Sequence, residues 1–187
     1  AVSKMVSAKA QLGQWRNVKR VFICAIAFAI GIGTTFGLIV LIGAQFFTRV
    51  FFHSELAAIA LRFMAPTILI MALGVFRGFF QGLQNTLPTA VSQIVEGLIN
   101  AIMSVVFAYF LFDFGHGMDA AGGTTDLGYA WGAAGGAIGT GAGALAGLIF
   151  CFILFVAYRK ILAVNISRDK TGTQQEYGDI FRLMLSI

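Results

Sequence analysis

The sequence predicts an all-α fold: a polytopic transmembrane helix bundle with four spans and both termini in the cytoplasm. First, 58% of the 187 residues are hydrophobic and 11% are charged, whereas soluble proteins carry about 25% charged residues. Second, four apolar runs each reach the roughly 20 residues that cross a bilayer as a helix. Third, cations collect outside the first and last runs. The net charge of +5 therefore indicates loops beside anionic lipid rather than nucleic-acid binding.

The predicted spans follow the four apolar runs. They are residues 21–48, 56–80, 87–112 and 127–158. Residues 1–20 are predicted to form a cytoplasmic amphipathic segment, because Val2, Met5, Val6 and Leu12 fall near one side of a helix. Residues 159–187 are predicted to be cytoplasmic and to end in the start of a truncated further helix.

The charges outside the spans predict the orientation. Before the first span the cations are Lys4, Lys9, Arg16, Lys19 and Arg20, and after the fourth they are Arg159, Lys160, Arg168 and Lys170. The segment 113–126 contains three aspartates and no cation, and the segment 49–55 is close to neutral. Because cationic loops stay in the cytoplasm, both termini are expected inside and these two loops outside.

The stretch "QGLQNTLP" predicts a tight cytoplasmic turn between the second and third spans. Gly82 suits a left-handed cap at the end of one helix. Asn85 or Thr86 suits the N-cap of the next, and Pro88 suits its first turn. The two helices are therefore expected to form an antiparallel hairpin. Pro66 lies inside the second span and is expected to kink it.

Polar residues form stripes on the second and third spans. On the third span the stripe consists of Thr89, Ser92, Gln93, Glu96 and Asn100, within about a third of the circumference. On the second span Arg62, Pro66 and Arg77 fall within about 60°. An ionisable group inside a span costs about 2.5–3.5 kcal/mol, so it is expected to be paired or to face water.

Arg77 and Glu96 are predicted to form a pair, because a long arginine side chain can bridge the difference in depth between them. Two interpretations of these stripes stay open. In one, Arg77 and Glu96 form a buried structural ion pair, and Arg62, with no acidic partner at its level, extends toward the membrane surface. In the other, the stripes line a cationic translocation cavity that favours an anionic passenger, because guanidinium groups bind phosphate oxygens in pairs. The candidate substrate-binding residues are Arg62, Arg77, Gln93, Glu96 and Asn100.

The fourth span contains two rows of glycines in "GYAWGAAGGAIGTGAGALAG". One row is Gly128, Gly132 and Gly136, continued by Thr140, and the other is Gly135, Gly139, Gly143 and Gly147. Small residues at this spacing allow close helix packing in lipid, so Gly132, Gly135, Gly139 and Gly143 are the candidate packing positions. A helix that slides or bends during transport is the alternative. No strand precedes the glycines and no lysine follows, which argues against a phosphate-binding loop.

No catalytic, metal or cofactor site is predicted, and we do not expect an enzyme. Cys24 and Cys151 lie in apolar runs, as small hydrophobic residues do. His53 and His116 lie alone in separate loops. The set Asp113, His116, Asp119 and Asp126 offers at most weak binding of a divalent ion.

Taken together, "RGFFQGLQNTLPTAVSQIVEG" and "GYAWGAAGGAIGTGAGALAGLIF" resemble the multidrug/oligosaccharidyl-lipid/polysaccharide exporter superfamily. The similarity is greatest to its polysaccharide-transporter branch, which includes the stage V sporulation protein B and MurJ-like lipid II flippase groups. The matching positions are Arg77, Gly78, Phe80, Gln81, Gly82, Asn85, Pro88, Thr89, Ala90, Ser92 and Gln93. The segment "QWRNVKRVF" resembles the loop between the second and third helices of that branch.

The resemblance implies a fold of about fourteen helices in two lobes, of which this chain forms helices three to six of one lobe and the approach to the seventh. It implies a bacterial plasma-membrane flippase, here as a fragment, that moves an undecaprenyl-diphosphate-linked oligosaccharide or lipid II-type cell-wall precursor to the outer leaflet by alternating access. The implied partners are the bilayer, the lipid-linked glycan and the remaining helices, with no nucleic acid. The resemblance also implies that the branch's best-known substrate-contacting arginines lie largely on its first helices, which are expected to be outside this chain, so none of them is carried over.

Two further hypotheses stay open. One is a cation-coupled drug exporter of the same superfamily, or a small four-span multidrug pump, with Glu96 as the proton-coupled carboxylate; Arg62 argues against it by repelling a cationic drug. The other is a non-transporting membrane module that scaffolds a glycan-synthesis complex.

Overall fold

The computed structural model describes residues 2–53, 56–72, 74–122, 127–169 and 175–186, and these residues form helices without any strand. The helices are α1 (Val2–Gln11), α2 (Trp15–Phe47), α3 (Ala57–Ala72), α4 (Val75–Gly82), α5 (Leu87–Gly122), α6 (Leu127–Ser167) and α7 (Tyr177–Ser186). A π-helical turn, Thr48–Phe52, follows α2.

Four candidate membrane spans occur in the described part of the chain. They are Trp15–Phe51, Ala57–Gly82, Leu87–Met118 and Leu127–Ser167. Each is long and apolar enough to cross a membrane, which agrees with the number of spans that the sequence predicts. At 1.5 Å per residue, the longest extends about 60 Å, so it exceeds the roughly 30 Å hydrocarbon core.

Several helix boundaries differ from the prediction. The second span is divided into α3 and α4. Pro66 lies inside α3 as predicted, and the kink there stays a prediction. The segment 113–126, predicted as a loop, is helical over most of its length, because α5 continues to Gly122. Its position outside the membrane stays a prediction, and residues 123–126 lie outside the described residues. Hydropathy marks where a chain leaves lipid, whereas a helix ends at a cap or a breaker. No proline follows Pro88 in the sequence, so none ends α5 near residue 112.

The turn before α5 also differs in one respect. Gly82 does not adopt the left-handed conformation; Leu83, at the C-cap of α4, has φ −82°, and Gln84 has φ 60°. The start of α5 agrees with the prediction: the carbonyl of Thr86 accepts the N–H of Ala90, and Pro88 lies in the first turn.

The chain divides into two compact units. The first unit comprises Ala1–Gly31, Leu73–Ser92 and Leu148–Ile187, and the second comprises Ile32–Ala72 and Gln93–Gly147.

An aromatic cluster forms the core of the first unit. The ring of Phe22 on α2 lies 4.6 Å from that of Phe79 on α4 and 4.7 Å from that of Phe155 on α6. Phe76 lies 5.3 Å from Phe22 in an edge-on arrangement, which is a favourable geometry for aromatic pairs. Ile180 of α7 is completely buried beside this core.

Helix α1 packs on α4 in the first unit. Val6 is fully buried, and a Cβ added to Gly82 would lie 2.6 Å from the Cβ of Val6. Met5 is buried as well, whereas Leu12 is 62% exposed. The predicted apolar side of this segment is therefore used at least partly for packing on the protein.

In the second unit, small residues lie at each helix contact. A Cβ at Gly33 of α2 would lie 2.8 Å from the Cβ of Ala72 on α3, and one at Gly37 would lie 3.2 Å from the carbonyl oxygen of Ala65. On α6, a Cβ at Gly141 would lie 2.7 Å from Oγ1 of Thr67 on α3. Close approach of backbones through small residues is how helices associate in lipid.

Candidate functional site

The glycine row of α6 faces the backbone of α5 in the second unit. A Cβ at Gly135 would meet the carbonyl of Phe107, one at Gly139 would meet the backbone of Ser104, and one at Gly143 would lie 2.8 Å from the carbonyl oxygen of Glu96. Gly132 is looser, with Cβ of Phe112 at 3.4 Å, and Gly136 has nothing within 4 Å. The backbones of α5 and α6 are therefore in direct contact along this row.

Asn100 lies within the contact between α5 and α6. Its Cβ is 2.7 Å from the Cβ position of Gly143, and its side-chain carbonyl accepts a hydrogen bond of 2.8 Å from the hydroxyl of Ser104. Ser104 also lies 3.3 Å from the carbonyl oxygen of Gly136, which Thr140 contacts at 3.1 Å. Asn100 of the polar stripe is thus linked to α6 by hydrogen bonds through Ser104.

Ser104 is not among the residues that the sequence predicts for the site. It lies four residues after Asn100 and therefore continues the same face of the helix. Extending the polar stripe by one turn would have found it.

Helix α6 lies between α3 and α5 in the second unit. It contacts α3 through Gly141 and α5 through Gly135, Gly139 and Gly143. At 3.6 residues per turn these two faces of α6 are about 160° apart. Within this unit, the contacts of α3 and of α5 therefore lie on nearly opposite faces of α6.

Aromatic residues connect the same three helices. The ring of Trp131 on α6 lies 6.0 Å from Phe63 on α3 and 5.5 Å from Phe114 on α5. The indole therefore reaches both neighbours of α6.

Arg62 and Gln93 are the exposed members of the candidate set. Both side chains lie in the second unit and are exposed. Within the described ranges, Arg62 makes no hydrogen bond or ion pair.

Arg77 and Glu96 are both half-buried, and each has interactions in the structure. The carbonyl of Arg77 lies 3.4 Å from the hydroxyl of Thr89, which is buried. Arg77 belongs to the first unit and Glu96 to the second, so their ion pair stays a prediction.

Polar residues near the start of α2 form contacts with residues that follow α6, and the sequence did not indicate these contacts. In the first unit, the guanidinium of Arg20 lies 5.1 Å from the ring centre of Tyr177 and donates a 2.5 Å hydrogen bond to the carbonyl of Gln175. The buried Asn17 accepts the N–H of Gln175 at 3.1 Å. The N–H of Arg16 donates to the carboxylate of Asp169 at 3.0 Å. These partners are about 150 residues apart in sequence, and no local pattern indicates them.

No metal centre emerges from the described side chains, among which no three histidine, cysteine, aspartate or glutamate residues lie together. Of the weak candidate set, Asp126 and the side chain of Asp119 lie outside what the structure describes. His116 stacks on Phe112 with ring centres 6.0 Å apart.

Comparison with curated proteins finds similarity to stage V sporulation protein B of Bacillus subtilis (strain 168), with 25% identity over 179 residues. The match covers 93% of this chain and 32% of that protein. The chain therefore spans about a third of the length of the relative it matches. No family model and no solved structure matches the chain. The relationship is a distant one.

Proposed function

We propose that the chain forms part of a membrane flippase that moves an undecaprenyl-diphosphate-linked oligosaccharide or lipid II-type precursor from the inner to the outer leaflet. The observation that carries the proposal is the similarity to stage V sporulation protein B along 93% of the chain. It agrees with the branch that the turn motif from Arg77 to Gly97 resembles. Four helices that are long and apolar enough to span a membrane fit such a protein.

Arg62 supports an anionic cargo. Placing an arginine within an apolar span costs about 2.5–3.5 kcal/mol, and the described residues offer it no compensating ion pair. A diphosphate offers the oxygen pairs that a guanidinium binds well. Gln93, exposed on α5, adds an uncharged donor and acceptor for sugar hydroxyls.

The remaining candidates have supporting roles in the proposal. Arg77 and Glu96, each already engaged, set the local charge, and Asn100 joins α5 to α6 through Ser104. During alternating access, either α5 and α6 move together as a packed pair along Gly135, Gly139 and Gly143, or α6 slides or bends along this row.

Complementation of a flippase-deficient bacterial strain tests the proposal. The full-length protein should restore growth, and Arg62→Ala and Arg77→Ala should each reduce the rescue at equal membrane abundance. Arg168→Ala is the matched control, because Arg168 is an exposed cation beyond the end of α6. Full rescue by Arg62→Ala would contradict its cargo-binding role, and full rescue by Arg77→Ala would contradict the supporting role of Arg77.

A further inference from the structure

A groove with an apolar floor and a cationic rim lies in the first unit, between α2 and α6. Its volume is about 400 Å³, within the range of about 300–1,000 Å³ that is typical of ligand sites. Phe22, Ile23, Ile26, Phe155, Leu162 and Ile166 contribute to the floor, and Ala163 lies at the surface. Lys19 and Arg159 provide the charges.

A second cavity adjoins this groove and is more polar. It has a volume of about 260 Å³ and shares Lys19, Ile23 and Ile166 with the groove. Arg16 and Arg20 add two further cations, and Tyr177 completes the wall. The apolar groove therefore continues into a cavity lined by three cationic residues.

Two of the cations at the rim have no neutralising partner among the described residues. Lys19 and Arg159 are exposed, and in the described part of the chain neither makes an ion pair or hydrogen bond. Arg20 is fixed in place by Tyr177 and the carbonyl of Gln175. Cations with long aliphatic stems on an apolar floor keep their charged ends at the level of lipid headgroups.

We propose that this groove binds an anionic phospholipid of the surrounding membrane. Part of an acyl chain lies on the apolar floor, and the phosphate lies among Lys19, Arg159 and the cations of the adjoining cavity. Basic pockets between membrane helices have the chemistry that recognises anionic headgroups. The lipid is a bound component of the first unit and is distinct from the cargo of the proposed flippase.

Titration of the full-length purified protein with lipid, followed by native mass spectrometry, tests this proposal. The probes are dioleoylphosphatidylglycerol and dioleoylphosphatidylcholine. We expect the anionic lipid to bind more tightly. At about fivefold for each cation, Lys19→Ala combined with Arg159→Ala should weaken its binding about 25-fold, with little effect on the zwitterionic lipid.

Two further variants separate a shaped site from diffuse charge. Lys160→Ala combined with Arg168→Ala removes two exposed cations that do not line the groove, and binding should not change. Ala163→Phe keeps every charge but fills the groove, and it should weaken binding of the anionic lipid.

Three outcomes of the variant measurements would overturn the proposal. The first is unchanged binding of the anionic lipid in the double variant Lys19→Ala, Arg159→Ala. The second is an equal loss of lipid binding in the control variant Lys160→Ala, Arg168→Ala. The third is unaffected lipid binding in Ala163→Phe, which would result if another segment of the protein covers the groove. Displacement of the lipid by inorganic phosphate alone would also overturn it, because the site would then bind a free anion. No cargo is present, so the result does not depend on whether the protein is a flippase.

Discussion

At the residue scale, the contact between α5 and α6 depends on the absence of side chains. A Cβ on Gly139 would lie too close to backbone atoms of Ser104 for a real contact. A Cβ on Gly136, three residues earlier on the same helix, would have nothing within 4 Å. Backbone atoms cannot rotate away as a flexible side chain can. The two glycines therefore provide a matched pair for measuring the contact.

We predict that Gly139→Ala destabilises the protein by about 1–3 kcal/mol, the usual cost of forcing extra volume into a packed interface. Gly136→Ala should be neutral or stabilising by about 0.4–1 kcal/mol, because alanine restricts the unfolded chain. Thermal or denaturant unfolding of both variants in the same detergent measures the difference. Equal stabilities would show that α5 and α6 are not in contact along this row.

The sequence could predict which of these residues matter but not all of their contacts. The spacing of Gly135, Gly139 and Gly143 indicates a packing face, and the structure shows α5 as its partner. The polar stripe of α5 is equally visible. That Asn100 would bond to Ser104 and pack on Gly143 depends on which helix comes alongside, and no pattern within one helix contains that information.

At the scale of elements, helix α1 packs on α4 in the first unit and is therefore not a segment that contacts only the membrane. Val6 is buried against Gly82, with the Cβ position of Gly82 also 2.8 Å from the carbonyl oxygen of Ser3. Gly78, one turn earlier on α4, has Val2 at an ordinary 3.6 Å. Of the two glycines of α4, Gly82 is thus the one that α1 approaches more closely.

We predict that Gly82→Ala releases α1 from α4, because the added methyl group overlaps Val6 and the backbone of Ser3. Trypsin should then cleave faster after Lys4 and Lys9, as followed by intact-protein mass spectrometry. Gly78→Ala is the control and should behave as the native protein does.

Cleavage after Lys19, which lies within α2, distinguishes release of α1 from general unfolding. It should remain as slow in Gly82→Ala as in the native protein. An equal acceleration at Lys19, or none at Lys4 and Lys9, would contradict the explanation.

The sequence predicts the existence of the long helices better than their ends. Apolar runs give four spans because lipid requires them, and the described helices match that number. Their ends follow other rules: α5 continues past Asp113 and His116 to Gly122, because polar residues alone do not end a helix. The interruption between Ala72 and Val75 likewise has no hydropathy signal.

At the scale of the whole molecule, orientation is still a prediction from the charges. The cations before residue 21 and after residue 158, with the acidic segment 113–126, favour both termini in the cytoplasm. Leu12, Ser167 and His116 are exposed, so single cysteines at these positions can report their side of the membrane.

We predict that, in intact cells, a membrane-impermeant maleimide labels His116→Cys and not Leu12→Cys or Ser167→Cys. Cys24 and Cys151, both buried, are replaced by alanine in all three variants. Permeabilised cells provide the control, in which all three cysteines should react. Labelling of Leu12→Cys or Ser167→Cys in intact cells would reverse the predicted orientation.

The proposal that Arg62 binds the diphosphate of a lipid-linked cargo is tested most directly by transport in vesicles. The full-length protein is reconstituted with a fluorescent undecaprenyl-diphosphate sugar, and a quencher outside the vesicles reports the leaflet. Loss of charged hydrogen bonds worth about 1.5–3 kcal/mol predicts that Arg62→Ala slows transfer about ten- to hundredfold, with partial retention in Arg62→Lys. Lys160→Ala should leave the rate unchanged. Transfer by Arg62→Ala at the native rate would contradict the account.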